Sequence, residues 1–484
     1  MQFKKSVLSA LVLTAALTGC KDSSDNEPAQ TREGVETSGR LLVSNASTEN
    51  PTVSVINPKG GSVLETITLN SAAEALNASP QYRYGLVSQD GQVQIIDGGL
   101  YLVPHDDHFD LSENDPQLIS KTLTGTKPAH FRHNEEYAAF FFDGVQGTSS
   151  KVITLDDEAI TDDEERELQL NNNMHGTAEP RDEFLLTTYR APEASADDQL
   201  PSAVELYHYH DGEFEKEELT NANCDKLHGS FSTEEASVFG CSDSVLVVKQ
   251  EGENFTASTI ANPAEMTGRI GSFTGHSDAH VVAGWASNAL YAIHLEDDEI
   301  ELVDWSEGEG ATKHAAIMDD EGEAMLVLDD TGTLHVLSVH EEHNHGGEGE
   351  SDGESAGVTA ASAESEEEHT FERTAKIKVL ETIPAFEGHD HVEMAVSPDS
   401  DEVFVVDSVA KQIVVVDLAE KEVKERIALS FEPSKLAWVG AVGEHKHHHG
   451  GDDHNHGGDD HNHGGDDHNH GGDDHNHGGD DHNH

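Results

Sequence analysis

Histidine and aspartate recur along this chain in patterns that suit a metal ion. The last 35 residues, Gly450 to His484, are five unbroken copies of Gly-Gly-Asp-Asp-His-Asn-His. The segment has no apolar residue, so it cannot build a core. Imidazole and carboxylate at this density on a Gly-rich chain form a ligand array for a borderline divalent ion, zinc before others. The imidazoles are His454, His456, His461, His463, His468, His470, His475, His477, His482 and His484, and His445, His447, His448 and His449 extend the array upstream. A related fragment, His343-Asn344-His345-Gly346-Gly347, recurs inside the chain, which argues against a purification tag. A flexible array must be ordered to wrap an ion, so its binding is weak and multi-site.

Two tighter groups lie upstream. Pro104-His105-Asp106-Asp107-His108, with Asp110 beyond, reads as a long loop after a strand. His105, Asp107 and His108 are metal candidates there, the alternative being a solvated acidic loop. Glu387-Gly388-His389-Asp390-His391 has the same chemistry.

Single histidines then recur ahead of apolar runs: His130, His175, His228, His276, His314 and His391. Their spacings are 45, 53, 48, 38 and 77 residues. The last falls to about 45 once an acidic low-complexity insertion near 341–370, expected to be disordered, is removed. Extrapolated outward, the register falls near Arg83 and Lys435.

The elements that must carry these residues are short strands, such as Val53 to Ile56, Val93 to Ile96, Ala138 to Phe142, Val245 to Val248 and Ile413 to Val416, separated by Gly, Asp and Asn turns. No convincing long helix appears. A period of about 40–50 residues with four strands per unit is that of an all-β propeller. Eight blades are expected, with seven as the alternative. Leu436 to Val439 should supply the innermost strand of a blade whose outer strands are residues 41–69, joining the chain ends. Each recurring histidine would start an innermost strand and face the channel mouth. Zinc takes three or four N/O ligands at about 2.0–2.1 Å, so six histidines cannot share one ion. His130, His175 and His228, from adjacent blades, are the core expectation; His276 and His391 complete the candidate set.

The formal charge is −67, from 95 acidic and 28 basic residues. That excludes nucleic acid and an electrostatic hold on anionic lipid, and favours cations. Lys4 and Lys5, an apolar run from Val7 to Leu17 and Leu17-Thr18-Gly19-Cys20 read as a signal peptide over residues 1–20 ending in a lipobox. Cys20 would be lipidated and the mature chain tethered to a bacterial membrane facing the periplasm. By resemblance to Gram-negative lipoproteins, Lys21 after that cysteine favours the outer membrane. Residues 21–39 read as a linker, 40–443 as the propeller and 444–484 as the metal-binding tail. The two remaining cysteines, Cys224 and Cys241, are most simply a disulfide in an exported protein, with a zinc thiolate pair as the rival.

The segments "DGQVQIIDGG", "HDDHFDL", "LTGTKPAHF", "AAFFFDG", "CDKLHGSF", "VFGCSD" and "GRIGSFTGHS" resemble the AztD-type periplasmic zinc metallochaperones over about residues 40–440. The resemblance implies a β-propeller that binds zinc and passes it to the solute-binding protein of a zinc ABC importer. It implies His105, His108, His130, His175, His228 and His276 as metal-site residues and Cys224 with Cys241 as a structural pair. The apparent lipid anchor and the long tail depart from that family, so zinc storage at the outer membrane is the competing expectation. No nucleophile–base pair, nucleophile elbow or cofactor fingerprint is present, so a propeller metallohydrolase is the lesser alternative, and no enzyme activity is expected.

Overall fold

The computed structural model describes residues 38–442, apart from 106–107, 163–164, 196–197, 340–370, 384–392 and 399. The expected signal peptide, the acidic insertion and the tail lie outside the described residues, as do Asp107 and His391. Ser38 and Gly39, assigned to the linker from sequence, already belong to a strand, Ser38–Asn45.

Eight four-stranded antiparallel sheets make up the body, with one additional two-stranded hairpin. The fold is an eight-bladed β-propeller. The innermost strand of blade 1 is Pro433–Ala441, and the others follow in chain order from blade 2 to blade 8. They are Ala75–Ala78, Pro128–Asn134, Ala178–Arg181, Ser230–Ser232, Ser272–Thr274, Lys313–Met318 and Met394–Val396. The ring closes as the sequence suggested. Pro433–Ala441 pairs antiparallel with Ser38–Asn45, with Leu41 opposite Trp438, and Thr52–Ile56 and Val63–Thr68 complete blade 1.

Burial explains why the strands read as they do. Middle strands such as Glu402–Asp407 are covered on both faces by neighbouring blades, so they are nearly continuous apolar runs rather than alternating ones. The outermost strand Val63–Thr68 buries only Ile67. Each apolar cluster spans one junction between blades. Leu41, Val43 and Ile56 of blade 1 meet Phe404, Val406 and Ile413 of blade 8, and this junction seals the ring. The centre therefore needs no apolar core and is left to polar side chains.

The inner strands run the same way along the axis, so their starts define one mouth of the channel and their ends the other. At the far end the Tyr82 hydroxyl, on the turn after the blade 2 inner strand, donates to Asp320 Oδ1 of blade 7 at 3.1 Å. Burial and Asp320 both push the Tyr82 phenol well above its usual range, so it stays a donor.

Candidate metal centre

His130, His175 and His228 meet at the near mouth. Their ring centroids are 4.7 Å (His130–His175), 5.3 Å (His175–His228) and 6.1 Å (His130–His228) apart. With zinc–nitrogen bonds of about 2.0–2.1 Å and ring centres about 1.1 Å behind each nitrogen, imidazoles on one tetrahedral ion have centroids about 5 Å apart. The observed separations bracket that value.

Each ring is held by its Nδ1. His130 Nδ1 donates to Gly176 O at 2.8 Å, His175 Nδ1 to Asp143 Oδ2 at 2.8 Å, and His228 Nδ1 to Gly271 O at 2.7 Å. A carbonyl or carboxylate oxygen can only accept, so the proton sits on Nδ1 and Nε2 keeps its lone pair. Anchoring one nitrogen so that the other is offered to a metal is the usual arrangement around ligating histidines.

The chain builds these anchors from short, tightly held segments. His175 precedes the blade 4 inner strand; its N–H donates to Gln199 O, and Met174 N–H donates to Asp143 O. Gly176 must be glycine, because a Cβ there would lie 2.2 Å from Thr188 Oγ1 and 2.5 Å from Phe141 Cζ. That close approach brings its carbonyl to His130. His228 lies on the segment leading into blade 5, where its N–H donates to Gly240 O. Cys224 and Cys241 form a disulfide that ties this segment to the end of the strand Ala236–Gly240. The thiolate-pair reading of these cysteines is thereby excluded.

Electrostatics favour the neutral ring at His130 and at His228. Burial first, then Arg132 and the other two histidines, hold His130 well below the ordinary imidazole value. Burial also lowers His228, against the opposing hydrogen bond to Gly271. Beneath the trio, Arg132 Nε lies 3.5 Å from Glu179 Oε1, and Ser232 Oγ donates to Glu179 Oε2 at 2.8 Å. Burial raises the Glu179 carboxyl and Arg132 pulls it back. Glu179 Oε1 and Asp143 Oδ1 are buried without a hydrogen-bond partner. The charge of Glu179 is met by Arg132, so Asp143 Oδ1, on the carboxylate that holds His175, is the buried acceptor that a nearby divalent cation would suit. Asp143, Arg132 and Glu179 were not singled out from the sequence. Asp143 directly follows the Phe140–Phe142 run, but only the blade geometry directs it to His175.

His105 and His108 belong to a separate hairpin, Leu100–His105 with His108–Glu113, rather than to the expected open loop. His105 Nδ1 is 2.9 Å from Asp110 Oδ2, His108 Nε2 is 3.4 Å from Asp110 Oδ1, and all three residues are exposed. Among the described residues, this is the group of three whose ligand atoms already lie within 4.8 Å of one another. Closeness alone therefore favours the hairpin, whereas partial burial and anchored Nδ1 atoms favour the trio. The trio is the stronger candidate, because an exposed cluster is also satisfied by water. The hairpin follows the third strand of blade 2 at Asp97, and Arg40 grips its base through Gly98 O and Asn114 O. It therefore stands at the far end of the propeller, roughly 20 Å from the trio for a seven-residue strand.

His276 is a correction. It follows the blade 6 inner strand Ser272–Thr274 instead of preceding it, and its Nδ1 accepts from Asp278 N–H at 3.3 Å. Ile270 occupies the position corresponding to His228. Counting back from the second strand fails here because the intervening turn is short. Arg83 likewise falls after its inner strand, whereas His314 and Lys435 do lie near the start of theirs.

An eight-bladed propeller with a three-imidazole cluster at one channel mouth is the class these features define. No protein-family model matches the chain. Over 219 residues it is 26% identical to the zinc chaperone AztD of Citrobacter koseri, an alignment spanning 44% of this chain and 49% of AztD, so the match covers about half the length of that relative. The crystal structure of Citrobacter koseri AztD superposes with a TM-score of 0.65 at 20% identity, covering 84% of this chain and all of that one. The dihydro-heme d1 dehydrogenase NirN superposes with a TM-score of 0.50 at 10% identity over 84% of this chain and 77% of its own. The structural likenesses establish the propeller; the sequence alignment makes this chain similar to AztD.

Proposed function

We propose that this chain is a zinc chaperone that captures zinc at the channel mouth through Nε2 of His130, His175 and His228. The observation that carries the reading is the anchoring of all three Nδ1 atoms by groups that only accept. Such preorganisation lowers the ordering cost of binding. Similarity to a zinc chaperone supports the choice of zinc.

The trio supplies three ligands and leaves a position toward the mouth for water or for a ligand from a recipient. Transfer would proceed by stepwise exchange, each incoming ligand replacing one imidazole, so that bare zinc is never released. The recipient in this reading is the solute-binding protein of a zinc ABC importer, in the periplasm, with Cys20 anchoring the chaperone to a bacterial membrane. The five-copy tail repeat favours a second reading, in which the anchored protein buffers zinc at the outer membrane.

The test is zinc stoichiometry and affinity of a chain ending at Gly443, measured by native mass spectrometry and chelator competition. Such a chain keeps every described strand, the last of which ends at Ala441. Tight zinc that disappears in His130→Ala and His228→Ala supports the chaperone. No tight zinc without the tail would overturn it in favour of the tail as the metal-binding element. Transfer to a purified zinc solute-binding protein faster than spontaneous release to a chelator would separate hand-off from storage.

A further inference from the structure

A second pair of histidines meets the same geometric criterion as the channel trio, on a part of the fold that no sequence pattern marked. The third strand of blade 4, Ala203–His210, ends in Tyr207-His208-Tyr209-His210. Residues two apart on a strand face the same side, so His208 and His210 share one face. Their ring centroids are 5.1 Å apart, close to the separation of about 5 Å that two imidazoles on one tetrahedral zinc require.

Carboxylates stand beside each ring, although no three of the ligand atoms lie within 4.8 Å of one another as those of the hairpin do, so an ion must draw the two pairs together. Glu215, on the outermost strand Glu213–Glu217, is paired directly opposite His208. Its Oε2 lies 3.2 Å from His210 Nε2. That matches the edge of about 3.3–3.4 Å between two ligand atoms of a zinc tetrahedron with bonds near 2.0–2.1 Å. Glu183, on the turn between the first two strands of the blade, has Oε2 3.7 Å from His208 Nε2. The His208 ring is fixed by stacking on Phe184, at 4.4 Å and 15° between planes, and Phe184 rests in turn on Phe255 of blade 5. Stacking uses the ring face and leaves both in-plane nitrogen positions open.

We propose that His208, His210 and Glu215, with Glu183 as fourth ligand, form a separate site for one borderline divalent ion, zinc first. The site is half exposed: the side chains of His208 and His210 are 26% and 38% accessible, and Glu215 is 56% accessible. An ion can therefore enter and leave directly from solvent. The rings lie at the outer half of blade 4, toward the far end of the propeller, and share no residue with the channel trio. The proposal therefore does not depend on the chaperone reading.

Residue-resolved labelling tests it in the full-length chain, where total stoichiometry would be swamped by the tail. Diethylpyrocarbonate modification of each histidine is followed by peptide mass spectrometry as zinc is titrated. The expected result is joint protection of His208 and His210 with one zinc dependence, kept in the His130→Ala/His228→Ala variant. Glu215→Gln should raise the zinc concentration for half-protection by about tenfold or more, and calcium at the same concentrations should give none. Protection of only one of the two rings, equal protection by calcium, or no response to Glu215→Gln would each overturn the site and leave an ordinary histidine–glutamate ion pair.

Discussion

The channel trio and the blade 2 hairpin use similar residue types and differ in almost everything else. His105, His108 and Asp110 fall within six residues of one another, stand exposed, and pair with each other. His130, His175 and His228 come from three blades, are partly withdrawn from water, and spend their Nδ1 atoms on Gly176, Asp143 and Gly271. Local clustering makes ligands available, whereas anchoring from neighbouring blades makes them ready. A hairpin that must be ordered by its ion loses part of the binding energy to that ordering; the trio is ordered by the fold.

Removing a ligand should break the contrast most sharply. Structural zinc sites bind with about 10–16 kcal/mol over four ligands, so losing one should cost about 3 kcal/mol or more, over a hundredfold in affinity. His175→Ala should show this loss in chelator competition on the chain ending at Gly443. His105→Ala/His108→Ala should leave the tightest zinc unchanged; if the hairpin pair instead abolished it, the ranking of the two sites would be reversed.

The disulfide sharpens the comparison, because only the trio is braced by one. Closing a loop with a sequence separation of 17 stabilises by about 3 kcal/mol in the chain-entropy model. Cys224→Ser/Cys241→Ser should lower the denaturant midpoint accordingly and weaken trio zinc. His105→Ala/His108→Ala should change stability by less than about 0.5 kcal/mol.

Outer hydrogen bonds come next. Asp143→Asn keeps the shape but offers a neutral partner to His175, and should weaken zinc by about 10- to 100-fold. An unchanged affinity would mean that Asp143 only packs the loop.

The smallest expected effect is on pH. An ordinary imidazole titrates near 6.5; His130 and His228 are depressed below that, chiefly by burial. Protons therefore compete with zinc at His130 and His228 only below the ordinary range, and the apparent affinity should begin to fall at a lower pH than that of a free His-rich peptide copying the tail. The same sign governs stability without metal. Below about pH 6.5 the unfolded chain takes up protons that His130 and His228 refuse in the folded state, so stability should decline as pH falls. Chelator competition and urea melts from pH 7.5 to 5 would check both. A break at or above pH 6.5 would mean that the rings are solvated.

Much of this was legible in sequence for a physical reason. Strands covered on both faces must be apolar throughout, and a ring of similar units must repeat, so period and strand count pointed to the propeller and to its closure by Pro433–Ala441. The placing of His130, His175 and His228 followed from that period, since a residue at a fixed offset from each blade lies at one level of the channel. The same offset failed at His276 because a short turn moved it past the inner strand. Asp143, Glu179 and Arg132 left no signal, because each acts across a junction between blades that is distant in sequence.

The composition and repeat by themselves determined an acidic chain with histidine arrays, an all-β ring and the cysteines available for pairing. Only the tertiary structure decided which histidines share a site and which nitrogen each one offers. It also decided that the hairpin and the trio occupy opposite ends. Those choices depend on distances between blades and on which carbonyl stands beside which ring, and these exist only once the eight sheets have closed around the axis.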